Sequence, residues 1–136
     1  MHGKTDAEQV KVVDASAMGA LVFGEPDAEK VSDELSRGVL TAPAILWFEL
    51  ASVCRKKLSR YPERRTALLQ AFELSQRIPI RSIGVDHLQV VYLAEKTELT
   101  TYDASYLWLA QKIGGTLVTL DRTLKIAAAK IHVKAA

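Results

Sequence analysis

Two short aliphatic runs, VKVVD at residues 10–14 and TLVTLD at 116–121, each close on an aspartate, and helix-like stretches fill much of the chain between them. A β-branched run that stops at a polar residue reads as a buried strand whose polar end is its carboxyl end. One strand is therefore expected at Val10 to Val13 and another ending at Asp121. VLTAP at 39–43 adds a brief extended piece, PIRSIGV at 79–85 a further strand, and IHVK at 131–134 offers a last one. Strands separated by helices predict an α/β fold with a parallel sheet, because parallel neighbours need long crossovers.

The helices are bounded by their punctuation. SAMGALVFGEP breaks at Gly24 and Pro26, and DAEKVSDELSRG stops at Gly38. Thr41 is expected to cap, and Pro43 to start, the helix carrying AILWFELASVCRKKLSR, which Tyr61 and Pro62 interrupt. ERRTALLQAFELSQRI is amphipathic, with Thr66, Gln70, Glu73 and Arg77 on one polar face. Asp86 caps HLQVVYLAEKTEL, Thr101 caps the helix of TTYDASYLWLAQKIGG, the Gly114-Gly115 pair ends it, and RTLKIAAAK is helical.

At 136 residues the chain is long enough for one core and short for two, so a single domain is expected over 10–136 behind a flexible tail at 1–9. A 49% hydrophobic, 25% charged composition excludes a disordered or fibrous chain, and a net charge of +2 identifies no partner. Cys54 is the lone cysteine, so no intramolecular disulfide can form; on its apolar helix it reads as a small buried hydrophobe. No signal peptide or membrane span is evident, and a cytoplasmic location is expected.

AILWFELASV at 44–53 then poses a problem, because Glu49 sits in a stretch built for burial. Three and four positions away it has Leu46, Ile45, Ser52 and Val53, whereas Glu73 in AFEL has polar helical neighbours and is solvated. A carboxylate withdrawn from water must be paired, protonated or bound to a metal. Asp14 and Asp121 end strands at the edge where open α/β sheets bind ligands, and Asp103 lies in the first turn of a helix whose preceding loop opens on that edge. Singly, each aspartate is explained by helix capping or the helix dipole. Four clustered carboxylates stay ionised only around a cation, and oxygen ligation suits Mg²⁺ or Mn²⁺. Zinc is disfavoured: His2 is in the tail, His87 starts a helix, His132 reads as a strand residue, and none has a ligand-spaced Cys or His. An acidic Mg²⁺ site points to phosphoryl chemistry, phosphodiester hydrolysis above all.

VVDASA at 12–17, PAILWFELASV at 43–53, TTYDASYLWLA at 100–110 and LVTLDRTL at 117–124, in that order, resemble the motifs of the PIN-domain family and, within it, of VapC toxins. The resemblance implies a three-layer α/β/α sandwich with a central, mostly parallel sheet. It implies that Asp14, Glu49, Asp103 and Asp121 form the metal-binding active site, supported by the hydroxyls of Ser16 and Thr119. Asp14, Asp103 and Asp121 would hold the metal, and Glu49 would bind it or orient the attacking water. Proteins similar to this one are Mg²⁺- or Mn²⁺-dependent endoribonucleases that leave a 5′-phosphate and a 3′-hydroxyl. They form homodimers, are silenced by a cognate antitoxin, and meet DNA only through the antitoxin complex.

An acidic pocket repels RNA, so basic residues must hold the substrate. RKKLSRYPERR supplies Arg55, Lys56, Lys57, Arg60, Arg64 and Arg65, with a solvated helix end as the alternative. Trp47, Tyr102 and Trp108 are read as core or dimer packing before base stacking. Among rival enzymes, receiver domains and haloacid-dehalogenase phosphatases need acids that Ala15-Ser16 after Asp14 does not supply. The remaining rival is a PIN-like module that grips RNA or a protein without cutting it.

Overall fold

A computed structural model of the protein describes residues 9–136. The expected tail lies outside the described residues apart from Gln9, whose carbonyl accepts from Val39 N at 2.8 Å. The elements run β1 (Val10–Val13), α1 (Ala15–Val22), α2 (Ala28–Leu35), β2 (Val39–Ala42), α3 (Ile45–Arg60), a 3-10 turn (Pro62–Arg64) and α4 (Arg65–Ser75). They continue β3 (Ile80–Ser82), α5 (His87–Thr97), α6 (Thr101–Ile113), β4 (Thr116–Val118) and α7 (Arg122–Lys130).

The sheet order is β3-β2-β1-β4 and every pairing is parallel, with Val12 opposite Thr41 on one side and Leu117 on the other. The fold is thus α/β, as expected. Parallel crossovers are right-handed, so the helices that carry the chain outward from β1 to β3 and those that return it to β4 cover opposite faces. Consistent with this, α1 contacts α2, α3 and α4, while α6 contacts α5, α7, β1 and β4. Val12, Val13, Leu117 and Val118 are buried between the two helical layers with Met18, Leu46, Leu50, Leu107 and Leu109. Cys54 is buried there too, as its apolar helix predicted.

The polar face of α4 is exposed at Thr66, Gln70 and Glu73, as read, and Arg77 is exposed two residues past the helix end at Ser75. Gly114 ends α6 at φ 65°, a left-handed conformation that glycine adopts without strain. Three expectations fail. Thr41 does not cap α3: it lies buried inside β2, and its hydroxyl donates to the Lys11 carbonyl at 3.0 Å instead. Ala44 occupies the cap position with no side-chain bond. The cap of α6 is Thr100, not Thr101, its hydroxyl accepting from Asp103 N at 3.1 Å. IHVK forms no named strand: His132 turns the chain at φ 61°, and only Ala135 makes an isolated parallel bridge to Leu117. Among the described residues, no helix is long and apolar enough to cross a membrane.

Candidate active site

Going from β1 the chain builds outward through β2 to β3, then returns to add β4 on the other flank of β1. The strand order reverses between β1 and β4, and the carboxyl ends there are the place where open α/β sheets form clefts. Asp14 follows β1 directly, and its backbone N–H donates to the Val118 carbonyl at the end of β4. Its side chain caps α1 by accepting from Ala17 N at 3.0 Å. Capping alone would leave a carboxylate in water, yet Asp14 is only 4% exposed.

That burial is met by hydroxyls. Ser16 Oγ donates to Asp14 Oδ1 at 2.7 Å, and Thr119 Oγ1 donates to Oδ2. Thr119, fully buried just past β4, in turn accepts from Asp121 N at 3.0 Å, while Ser16 Oγ accepts from Leu120 N at 2.9 Å. Asp121 caps α7 by accepting from Leu124 N at 3.1 Å. A single network therefore ties the ends of β1 and β4 together and fixes Asp14, Ser16, Thr119 and Asp121. Both aspartates do cap helices; Asp14 follows β1 directly, whereas β4 ends at Val118, so Asp121 lies three residues past the strand it was expected to end.

Glu49 stands in the first half of α3, half-buried, and its partner is a residue the sequence did not single out. Tyr106 Oη donates to Glu49 Oε1 at 2.6 Å. The signal was present in principle, since Tyr106 lies three positions after Asp103, on the same side of α6, in an apolar helix where a phenol needs a partner. Asp103 sits in the first turn of α6, half-buried.

The four acids feel one another. Burial pushes the Asp14 carboxyl above the ordinary carboxylate range, three hydrogen bonds pull it back, and Asp103 adds to the rise. Burial likewise raises Glu49, the Tyr106 bond opposes it, and the charges of Asp103 and Asp14 reinforce it. Asp103 is raised by burial and then by Asp121. Among the described residues no cation neutralises them: the ion pairs are Lys11–Glu34 at 2.8 Å and Lys57–Glu25 at 2.7 Å. Nor, among the described residues, do three acid, His or Cys side chains stand as a ready-made metal cage. The case for a divalent ion is thus one of donor chemistry, all oxygen and uncompensated, which fits a hard cation.

Of the basic run, Arg55, Lys56, Arg60, Arg64 and Arg65 are exposed, whereas Lys57 is engaged by Glu25. Lys56 and Arg60 follow Glu49 at intervals that return to within about 20° of it around the helix, roughly 10 and 16 Å along the axis. Trp47 and Trp108 pack partly buried against the core, but Tyr102 departs from the expected packing at 58% exposed. A cleft of about 460 Å³ is lined by Ile45, Ile83, Val85, His87, Tyr102 and Ser105 among others, and none of the four acids lines it.

A family model described as the PIN domain matches residues 11–130. The chain belongs to the PIN-domain family. Among its relatives is "Ribonuclease VapC3" of Pyrobaculum aerophilum, 34% identical over 122 residues, 83% of this chain and 90% of that protein. This likeness puts the chain with the VapC-type members of the family. The crystal structure of PAE2754 from Pyrobaculum aerophilum matches with a TM-score of 0.74 at 22% identity, covering 99% of this chain and 87% of the other, a likeness of fold. The central parallel sheet between helical layers is thus the PIN architecture.

Proposed function

We propose that this PIN domain is a cytoplasmic, metal-dependent endoribonuclease, the toxin of a VapBC-type toxin-antitoxin pair. The observation that supports the reading is that burial, then a chain of pairwise charge effects reaching to Asp121, raises the carboxyl pKa values of Asp14, Glu49 and Asp103, with no cation paired to any of the four acids among the described residues. The kinship with a ribonuclease VapC supports it.

Asp14, Asp103 and Asp121 would hold Mg²⁺ or Mn²⁺, directly or through water, with Glu49 as a further ligand or as the group that orients the attacking water. Bound there, the ion supplies charge neutralisation, a polarised phosphate and an activated water. The protein's own contribution is preorganisation: Ser16, Thr119 and the α1 amide hold Asp14 in one orientation before any ligand arrives. In hydrolysis the water oxygen bonds to phosphorus as the bond to the 3′ oxygen breaks, leaving a 5′-phosphate and a 3′-hydroxyl. Phe48 and Tyr102, each immediately before an acid and 77% and 58% exposed, offer faces on which bases can stack. Leu88, Val91 and Tyr92 form an exposed apolar stripe on α5 that suits the homodimer of similar proteins. DNA would be met only through the antitoxin complex.

Cleavage of a mixed RNA pool tests the proposal. Cutting is expected with Mg²⁺ or Mn²⁺, leaving 5′-phosphate ends, and none with EDTA. The alternative is a module that binds RNA or a protein without cutting; RNA retention with no cutting in any metal would establish it.

Lys56 and Arg60 extend from Glu49 along one stripe of α3, so the RNA backbone would follow them towards the acids. Replacing both with Ala is expected to raise KM about 10-fold while kcat stays near wild type, because phosphate contacts bind ground and transition states alike. The salt dependence of binding should fall in the same variant. A loss confined to kcat would place these residues at the chemistry instead.

A further inference from the structure

We infer that Tyr106 is a positioning residue for Glu49, a core-anchored phenol that holds one carboxylate oxygen and so fixes how Glu49 is presented to the other acids. The inference rests on the nuclease reading of this site and adds a residue to it.

Tyr106 is 1% exposed and packed in the main core, on a helix that touches both β1 and β4. A phenylalanine would serve that packing, so the hydroxyl calls for its own explanation. Its hydrogen-bond partner is Glu49 Oε1, on a helix in the other layer, reached across 57 positions of sequence at 2.6 Å. The bond joins the two helical layers at the edge of the sheet that carries the acids. Glu49 has three rotatable side-chain bonds and sits half in solvent, so without a tether it would sample many orientations. A phenol donating to a carboxylate makes a short, charge-assisted bond, and its ring is held by the core on all sides. Tyr106 follows Asp103 by one turn of α6, which means a single helix delivers one acid to the edge and aims a second.

The test compares wild type, Tyr106→Phe, Glu49→Gln and the double variant by Mn²⁺ titration calorimetry, melting temperature and RNA cleavage. Whichever of Mn²⁺ affinity and kcat falls in Glu49→Gln should fall in Tyr106→Phe too, by about 10-fold or more, as is usual for a group that orients a ligand. KM for RNA should hold within about twofold, and melting within about 5 °C of wild type. Adding Tyr106→Phe to Glu49→Gln should cost nothing further, because the two substitutions remove one function.

Three results would overturn the inference: a Tyr106→Phe protein that binds Mn²⁺ and cleaves as wild type does, losses that multiply in the double variant, or a collapse in melting temperature that makes the residue a packing element. Any of these leaves the nuclease reading standing. A wild-type protein that neither binds Mn²⁺ nor cuts RNA would overturn both.

Discussion

Asp14→Asn is expected to lose cleavage by about 10³-fold or more while the protein still folds, since the proposed function makes Asp14 a metal-binding carboxylate, and such a group supplies several kcal/mol of transition-state charge stabilisation. The substitution keeps the shape of the side chain and the oxygen that accepts from Ala17 N and Ser16 Oγ. What changes is the other side: an amide now faces Thr119, which donates its hydroxyl to Asp14 in the native network. Thr119 must turn to accept, a cost of about 1 kcal/mol, and the removal of a buried charge offsets part of it. Asp14→Ala would be a poorer test, because it also strips the α1 cap for about 1 kcal/mol more. Single-turnover cleavage read beside thermal melts with and without Mn²⁺ separates the effects. Wild type should melt higher as Mn²⁺ is raised, by linkage, and Asp14→Asn should not. Full cleavage by the folded variant would remove Asp14 from the site.

The parts of this architecture that were legible in the sequence are those that local chemistry decides. Val10 to Val13 had to be a strand because four β-branched or aliphatic-stemmed residues run into a cap, and Asp14 had to lie at its carboxyl end. Asp86 and Asp121 announced their helices in the same way. Thr41 was misread because a threonine before a proline looks like a cap, and only the sheet register shows that its hydroxyl bridges to β1. IHVK was misread because a β-branched pattern is also what a chain needs to bury Val133 after a turn, and the pairing with β4 begins only at Lys134, whose carbonyl accepts from Leu117 N beside the isolated bridge at Ala135. In both cases the deciding contact is distant in sequence.

The candidate site divides along the same line. Glu49 could be proposed because it breaks a local expectation, and the three aspartates, each explained singly by capping or the helix dipole, only because they share one edge of the sheet with it. The links between them could not. Asp14 and Thr119 are joined across 105 positions, and Glu49 and Tyr106 across 57. A tyrosine within SYLWLA is indistinguishable from core until the helix opposite it is known. Tyr102 shows the converse: in an apolar helix it reads as packing, yet at the first turn of α6 it looks out beside Asp103.

Glu49→Gln is expected to remove cleavage by about 10²-fold or more and to leave the metal-free protein as stable as wild type at neutral pH, or more so. Burial raises the Glu49 pKa above its ordinary 4.5 in the folded chain, with Asp103 and Asp14 adding to the rise and Tyr106 opposing it. A folded state that holds the proton more tightly than the unfolded chain is favoured below the unfolded pKa, and loses that advantage as pH climbs through the folded one. Above both, the ionised Glu49 is a net cost to folding that glutamine does not carry. The substituted amide still offers Tyr106 an acceptor oxygen, so the core bond survives. Metal-free wild type should therefore lose melting temperature as pH rises from the ordinary glutamate range towards neutrality, the variant should lose less, and saturating Mn²⁺ should restore wild type alone. A variant that melts far below wild type without metal would mean that Glu49 is there to hold the fold together. The carboxylate in AILWFELASV would then be structural, and the acid group would shrink to the three aspartates.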